Sequence, residues 1–154
     1  MENNESRHVG MKIKAPLIIK DLFSDEDYKS LYDYLYNYNK TDSVYDKTFG
    51  RYSFHDPVLD EYSKKLIPIA RDIFDSKTLL PSYSLFAHYE GVEANLFKHV
   101  DDNACTYTLD MCVYQNEPWD LWVENNSYLL NKNEALAYYG NDLKHLYQAL
   151  LLLF

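Results

Sequence analysis

Residues 121–140 read LWVENNSYLLNKNEALAYYG. Three short apolar runs, "LWVEN", "SYLLN" and "EALAYYG", are joined by the links "ENNSY" and "NKNE", which have the composition of tight hairpin turns. The same rhythm extends upstream through "SYSLFAHYE" (82–90), "ANLFKHV" (94–100) and "TYTLDMCVYQ" (106–115). Asn, Asp, Pro or Gly punctuate these runs, so the second half of the chain predicts a succession of short antiparallel strands.

The first half has a different period. "KAPLIIKDLF" (14–23) predicts a strand. Ser24 then stands before Asp25, Glu26 and Asp27, an N-cap followed by acids that suit the positive end of a helix. Leu31, Tyr34, Leu35 and Tyr38 recur at helical spacing. A second helix is expected over about 57–75, with Pro57 near its start and Leu59, Tyr62, Leu66, Ile69 and Ile73 as its apolar stripe. The expected fold class is α+β: two N-terminal helices packed on a β-sandwich or double-stranded β-helix (jelly-roll) of antiparallel strands. One domain spans 11–154, and the polar residues 1–10 read as a disordered tail.

Composition narrows the function. Sixteen tyrosines favour strands and broad half-buried surfaces, while four glycines leave the turns to Asn, Asp and Pro. A net charge of −9 without a basic cluster disfavours nucleic acid as a partner. Cys105 and Cys112 lack zinc-ribbon spacing and read as reduced thiols. No signal-peptide pattern is present, and the longest apolar run, "LYQALLLLF", is too short to span a bilayer. The expectation is a soluble cytoplasmic protein with no nucleic-acid or membrane partner.

"FKHVD" (97–101) carries the chemistry. Alternate residues of a strand share a side, so His99 and Asp101 project together and can hold two adjacent positions on a metal. A third ligand must come from a distant strand. Two histidines and one carboxylate leave three positions open, the arrangement of non-haem Fe(II) oxygenases. His88 and Glu90 form a similar pair, but on a regular strand His88 faces away from Tyr89, which argues against that pair if Tyr89 faces a pocket. His8 in the tail and His55 before the second helix read as inert or surface residues.

The surrounding order is more specific than the pair. Tyr89 and Gly91 precede His99; "TYTL" (106–109) and Trp119-Asp120-Leu121-Trp122 follow; "NEALAYYGNDLKH" ends on His145. Over about residues 13–150 the chain resembles the Fe(II)/2-oxoglutarate-dependent dioxygenases, in particular the prolyl-hydroxylase-like branch with small members in phages and cyanobacteria. The resemblance implies an iron-dependent oxidoreductase in which His99, Asp101 and His145 bind the metal and form the catalytic centre. It implies 2-oxoglutarate as cosubstrate, O2 as oxidant and ascorbate as an accessory reductant. Tyr89 and Thr108 match positions lining the cosubstrate pocket, although each also suits simple packing. Trp119 and Trp122 fit either the border of a substrate groove or the cover of a sheet edge. The implied product is a hydroxylated C–H bond, of a prolyl residue in a peptide or protein, with a small-molecule substrate as the other option.

One element of the family pattern is missing. An Arg or Lys normally follows the distal His by about nine residues and binds the far carboxylate of 2-oxoglutarate. Here that position is Phe154, and no basic residue follows His145. C-terminal truncation is the favoured explanation; a strand from a partner chain, or a cation elsewhere (Lys98, Arg51, Arg71 or Lys144), are the others. The alternative function is therefore a catalytically impaired jelly-roll binding module that keeps the metal triad. A third reading, a zinc hydrolase, would need Glu90 or Glu93 as general base and lacks a recognisable zincin helix.

Overall fold

The computed structural model describes residues 15–38, 43–48, 51–91 and 94–147. The expected tail at 1–10, His8, Glu93 and the C-terminal run from 148 lie outside the described residues. Among the described residues the fold is mixed α+β, with three helices and mostly antiparallel sheets, consistent with a β-sandwich.

The chain opens with β1 (Leu17–Ile19), shorter than the predicted strand, and α1 (Asp25–Tyr36). The expected cap is present: Ser24 Oγ accepts from the Asp27 amide at 3.2 Å. Two strands that sequence reading overlooked follow, β2 (Val44–Asp46) and β3 (Arg51–Phe54), paired antiparallel with Tyr45 opposite Tyr52. The predicted second helix is two helices, α2 (Pro57–Lys65) and α3 (Ile67–Ile73). The correction has a simple cause. Pro68 has no amide to donate to Lys64, and its ring crowds that carbonyl, so the helix stops and restarts around Leu66. The apolar stripe survives the break, because Leu59, Tyr62, Leu66 and Ile69 all pack into one cluster with Leu31 and Leu35 of α1.

The remaining strands are β4 (Phe86–Tyr89), β5 (Leu96–His99), β6 (Thr108–Cys112), β7 (Leu121–Val123), β8 (Asn126–Tyr128), β9 (Glu134–Tyr138) and β10 (His145–Tyr147). They form sheets in the orders β1-β9-β6, β5-β10-β7-β8 and, with the earlier pair, β2-β3-β4. Strand β9 shows how the layers stack. Its Ala135 and Ala137 pack with the helix clusters, small residues that let helices lie close to the sheet. Its alternate residues Leu136 and Tyr138 pack with Leu121 and Val123 of the second sheet and with Leu130 of the β8–β9 link. Helices thus cover one face of the β1-β9-β6 sheet, and the β5-β10-β7-β8 sheet covers the other. Among the described residues no helix is long and apolar enough to cross a membrane.

Asn133 joins the two halves of the chain. It is buried, and its φ of 62° suits Asn better than most residues at a tight link. Its Oδ1 accepts from the Phe23 amide at 3.0 Å, and its Nδ2 donates to the Phe23 carbonyl at 2.9 Å. Its carbonyl accepts from the Leu22 amide at 2.9 Å. Asn133→Ala strands both polar groups of Phe23 in a dry site. We expect it to lower unfolding free energy by about 2–4 kcal/mol in urea titrations. A loss below about 0.5 kcal/mol would mean that water replaces the amide there.

Candidate metal centre

Strand β10 lies between β5 and β7, and its first residue, His145, is directly opposite His99 on β5. That register brings two imidazoles together from positions 46 residues apart (145 − 99), with ring centroids 4.3 Å apart. Asp101 follows the end of β5. Its amide donates to the Gly140 carbonyl at 2.8 Å, which fixes the backbone so that the side chain turns back toward both rings.

The polar contacts divide cleanly. Asp101 Oδ1 lies 3.3 Å from His145 Nε2 and 3.7 Å from His99 Nε2. Asp101 Oδ2 accepts instead from Thr108 Oγ1 at 2.6 Å. The other nitrogen of each ring is engaged with backbone: His99 Nδ1 with the Phe97 carbonyl at 2.7 Å, and His145 Nδ1 with the Leu143 carbonyl at 3.0 Å. A carbonyl can only accept, so both Nδ1 atoms carry protons, and both Nε2 atoms face the same carboxylate oxygen, where a metal would take the place of any proton they hold. That is how protein ligands are oriented around a metal. His99, Asp101 and His145 each offer a ligand atom, and these atoms all lie within 4.8 Å of one another. Metal–ligand bonds of about 2.1 Å separate adjacent ligands by about 3 Å, so the observed separations fit with a small closing movement.

Electrostatics tie the same groups together. Burial alone pushes the Asp101 carboxyl up, but His145 and the Thr108 hydroxyl outweigh it, and its pKa lies below the ordinary value. Burial likewise pushes the His145 imidazole down, yet Asp101 and the Leu143 carbonyl raise it on balance. His145 is 2% exposed, whereas the His99 side chain is 30% exposed and stands at the open side.

No family model matches the sequence, and no curated protein does. The site is therefore read from its own geometry.

Thr108 lines the cavity at the triad, and its observed partner is Asp101. Tyr89 ends β4, with its ring edge-on to Trp119 at 4.7 Å. Trp122 points out of the core, between the buried Leu121 and Val123. His88 alternates with Tyr89 along β4 and meets the Tyr114 hydroxyl at 3.1 Å; against expectation it borders the same cavity as Tyr89, although it is not part of the His99–Asp101–His145 cluster. Its partner in the similar pair, Glu90, is exposed, with 3.6 Å between His88 Nε2 and Glu90 Oε2. His55 is exposed beside Ser84 and Asp60.

Three further residues shape the site: Tyr138 and Gly140 went unnoticed in the sequence, and Arg51 was only one of four candidate cations. Arg51 of β3 is directly opposite Tyr89, and its Nη1 donates to Tyr89 Oη at 2.8 Å. Tyr138 packs edge-on to the His145 ring at 5.0 Å. Gly140 closes against Asp101 and Thr108, where an added Cβ would meet Thr108 Oγ1 at 2.1 Å and Asp101 Oδ2 at 2.2 Å. Strand alternation from the buried Leu136 would have found Tyr138. Arg51 was one of four candidate cations that the sequence could not place, because nothing in it pairs 51 with 89.

Proposed function

We propose that the protein is an Fe(II)- and 2-oxoglutarate-dependent dioxygenase that hydroxylates a C–H bond, and that its sandwich is a double-stranded β-helix. One observation carries this reading: two imidazole Nε2 atoms and one carboxylate oxygen converge while each Nδ1 is committed to a backbone carbonyl. Such a set supplies three ligands on one side of an ion and leaves the other side to a chelating cosubstrate and O2, a preference of Fe(II) rather than of structural zinc. With iron and 2-oxoglutarate bound, the cofactors supply the oxidising power, and the cosubstrate leaves as succinate and CO2.

The protein's own residues do the rest. The Leu143 and Phe97 carbonyls fix the rings, and Thr108 restrains Asp101 so that a single oxygen faces the metal position. Burial of His145 between β5 and β7 keeps bulk water off one side. The adjoining cleft, about 1310 Å³ in all, runs from the triad past Thr108 and Tyr138 to Leu31, Leu35 and Leu59 on the helix side, and substrates would enter at its triad end. A prolyl residue is the substrate the resemblance favours.

The test is anaerobic addition of Fe(II) and 2-oxoglutarate to purified protein. A weak visible charge-transfer band, absent with either component alone, is expected. A folded protein that binds Fe(II) tightly yet gives no band would refute the oxygenase reading and leave a metal-binding module.

A further inference from the structure

The cavity beside the triad has a second polar wall. Arg51 is the one lysine or arginine that lines this cavity among the described residues. The other cations raised by the sequence lie elsewhere: Lys98 and Lys144 are exposed, and Arg71 donates from Nε to the Leu79 carbonyl. Arg51 and Tyr89 share a side of the β3–β4 pair, joined through the guanidinium and the phenol oxygen. Burial pushes the Tyr89 hydroxyl up to about 12, with Arg51 opposing, so it holds its proton and remains a donor. Tyr138 is 1% exposed and also lines the cavity. Its hydroxyl is buried without a hydrogen-bond partner; Asp110 lies near it, outside ordinary hydrogen-bond geometry. A buried hydroxyl left unmatched costs stability and points to a ligand that would match it.

We propose that Arg51, with Tyr89 and Tyr138, forms the carboxylate-recognition wall of the metal cavity, so that the cation for the cosubstrate's far carboxylate comes from the N-terminal strand pair. The proposal rests on the dioxygenase reading. A guanidinium presents parallel N–H donors that match a carboxylate, and the two phenols add donors beside it. Asp46, directly opposite Arg51 on β2, and Asp110, on the same face of β6 as Thr108, are the carboxylates nearest this wall in the fold, so a bound dicarboxylate would share Arg51 with them.

The test uses full-length protein loaded anaerobically with Fe(II), titrated with 2-oxoglutarate and with 2-oxobutyrate. The second acid has the same chelating end and lacks the far carboxylate. The parent should bind 2-oxoglutarate at least about 30-fold more tightly. Arg51→Gln should erase that difference while leaving Fe(II) and 2-oxobutyrate binding unchanged, and Arg51→Lys should restore part of it. Tyr138→Phe should weaken 2-oxoglutarate binding about 5- to 10-fold while raising the melting temperature of the ligand-free protein, since it deletes an unmatched buried hydroxyl. A purely structural tyrosine would lose stability instead. If Arg51→Gln binds iron and still prefers 2-oxoglutarate as the parent does, the wall is misassigned and the dioxygenase reading stands. If the parent binds iron but neither oxo acid, both fall.

Discussion

His99→Ala is expected to abolish Fe(II) binding while the fold persists. The imidazole supplies one of three ligand atoms, and among the described residues no other His is placed to replace it: His88 and His55 are engaged elsewhere. Loss of a ligand should exceed the roughly 10- to 100-fold penalty for losing an outer partner. The stability cost should be small, about 1 kcal/mol or less, because the ring sits at a partly solvated edge and gives up a contact to the exposed Phe97. Asp101→Asn sharpens the experiment. The amide oxygen can still accept from Thr108, so shape and packing survive while the charge is lost. His145 need not remain as an unpaired buried charge, since it can release its proton, and the destabilisation should stay near about 1–2 kcal/mol. Calorimetric titration with Fe(II), and with Mn(II) as an oxygen-stable substitute, reads the affinity; thermal melting reads the fold. Parent-like binding in either variant would mean that the three side chains are an ion-paired structural cluster.

Why the sequence pointed to the His99–Asp101–His145 cluster and hid much of what surrounds it follows from contact range. His99 and Asp101 are two apart on a strand end, so local alternation is enough to place them on one side. Ser24 announces α1 through a capping bond three residues away. The short links around 124–126 and 131–134 announce the β7–β8–β9 series. By contrast, the pairing of His145 with His99 depends on strand order in a sheet, which no local pattern encodes; the resemblance alone brought them together. The β2–β3 pair was missed because each strand has three or four residues, too few for a period to emerge from a Tyr-rich background. That omission left Arg51 unplaced among the four candidate cations. The break at Pro68 was legible, since a proline inside a helical pattern ends it, but the continuous apolar stripe masked it.

Gly140→Ala should damage both stability and the metal centre, for reasons of space. A Cβ at residue 140 would stand 2.1 Å from Thr108 Oγ1 and 2.2 Å from Asp101 Oδ2, well inside contact distance of two atoms that already hydrogen-bond each other. Neither neighbour can yield cheaply. Thr108 is held in β6 opposite Tyr138, and the Asp101 amide is bound to the Gly140 carbonyl itself. The methyl must therefore separate the Thr108–Asp101 bond and turn the carboxylate away from the two Nε2 atoms. Overpacking plus a lost charge-assisted hydrogen bond should cost about 2–4 kcal/mol, and Fe(II) affinity should fall at least about 10-fold. Gly91→Ala is the informative control. Its φ of 78° penalises any side chain, but an added Cβ there meets nothing within 4 Å. It should cost about 1 kcal/mol and leave metal affinity unchanged. If the two variants lose stability alike and Gly140→Ala binds iron as the parent does, the close approach of residue 140 to Asp101 does not hold the carboxylate in place, and Thr108 alone must orient it.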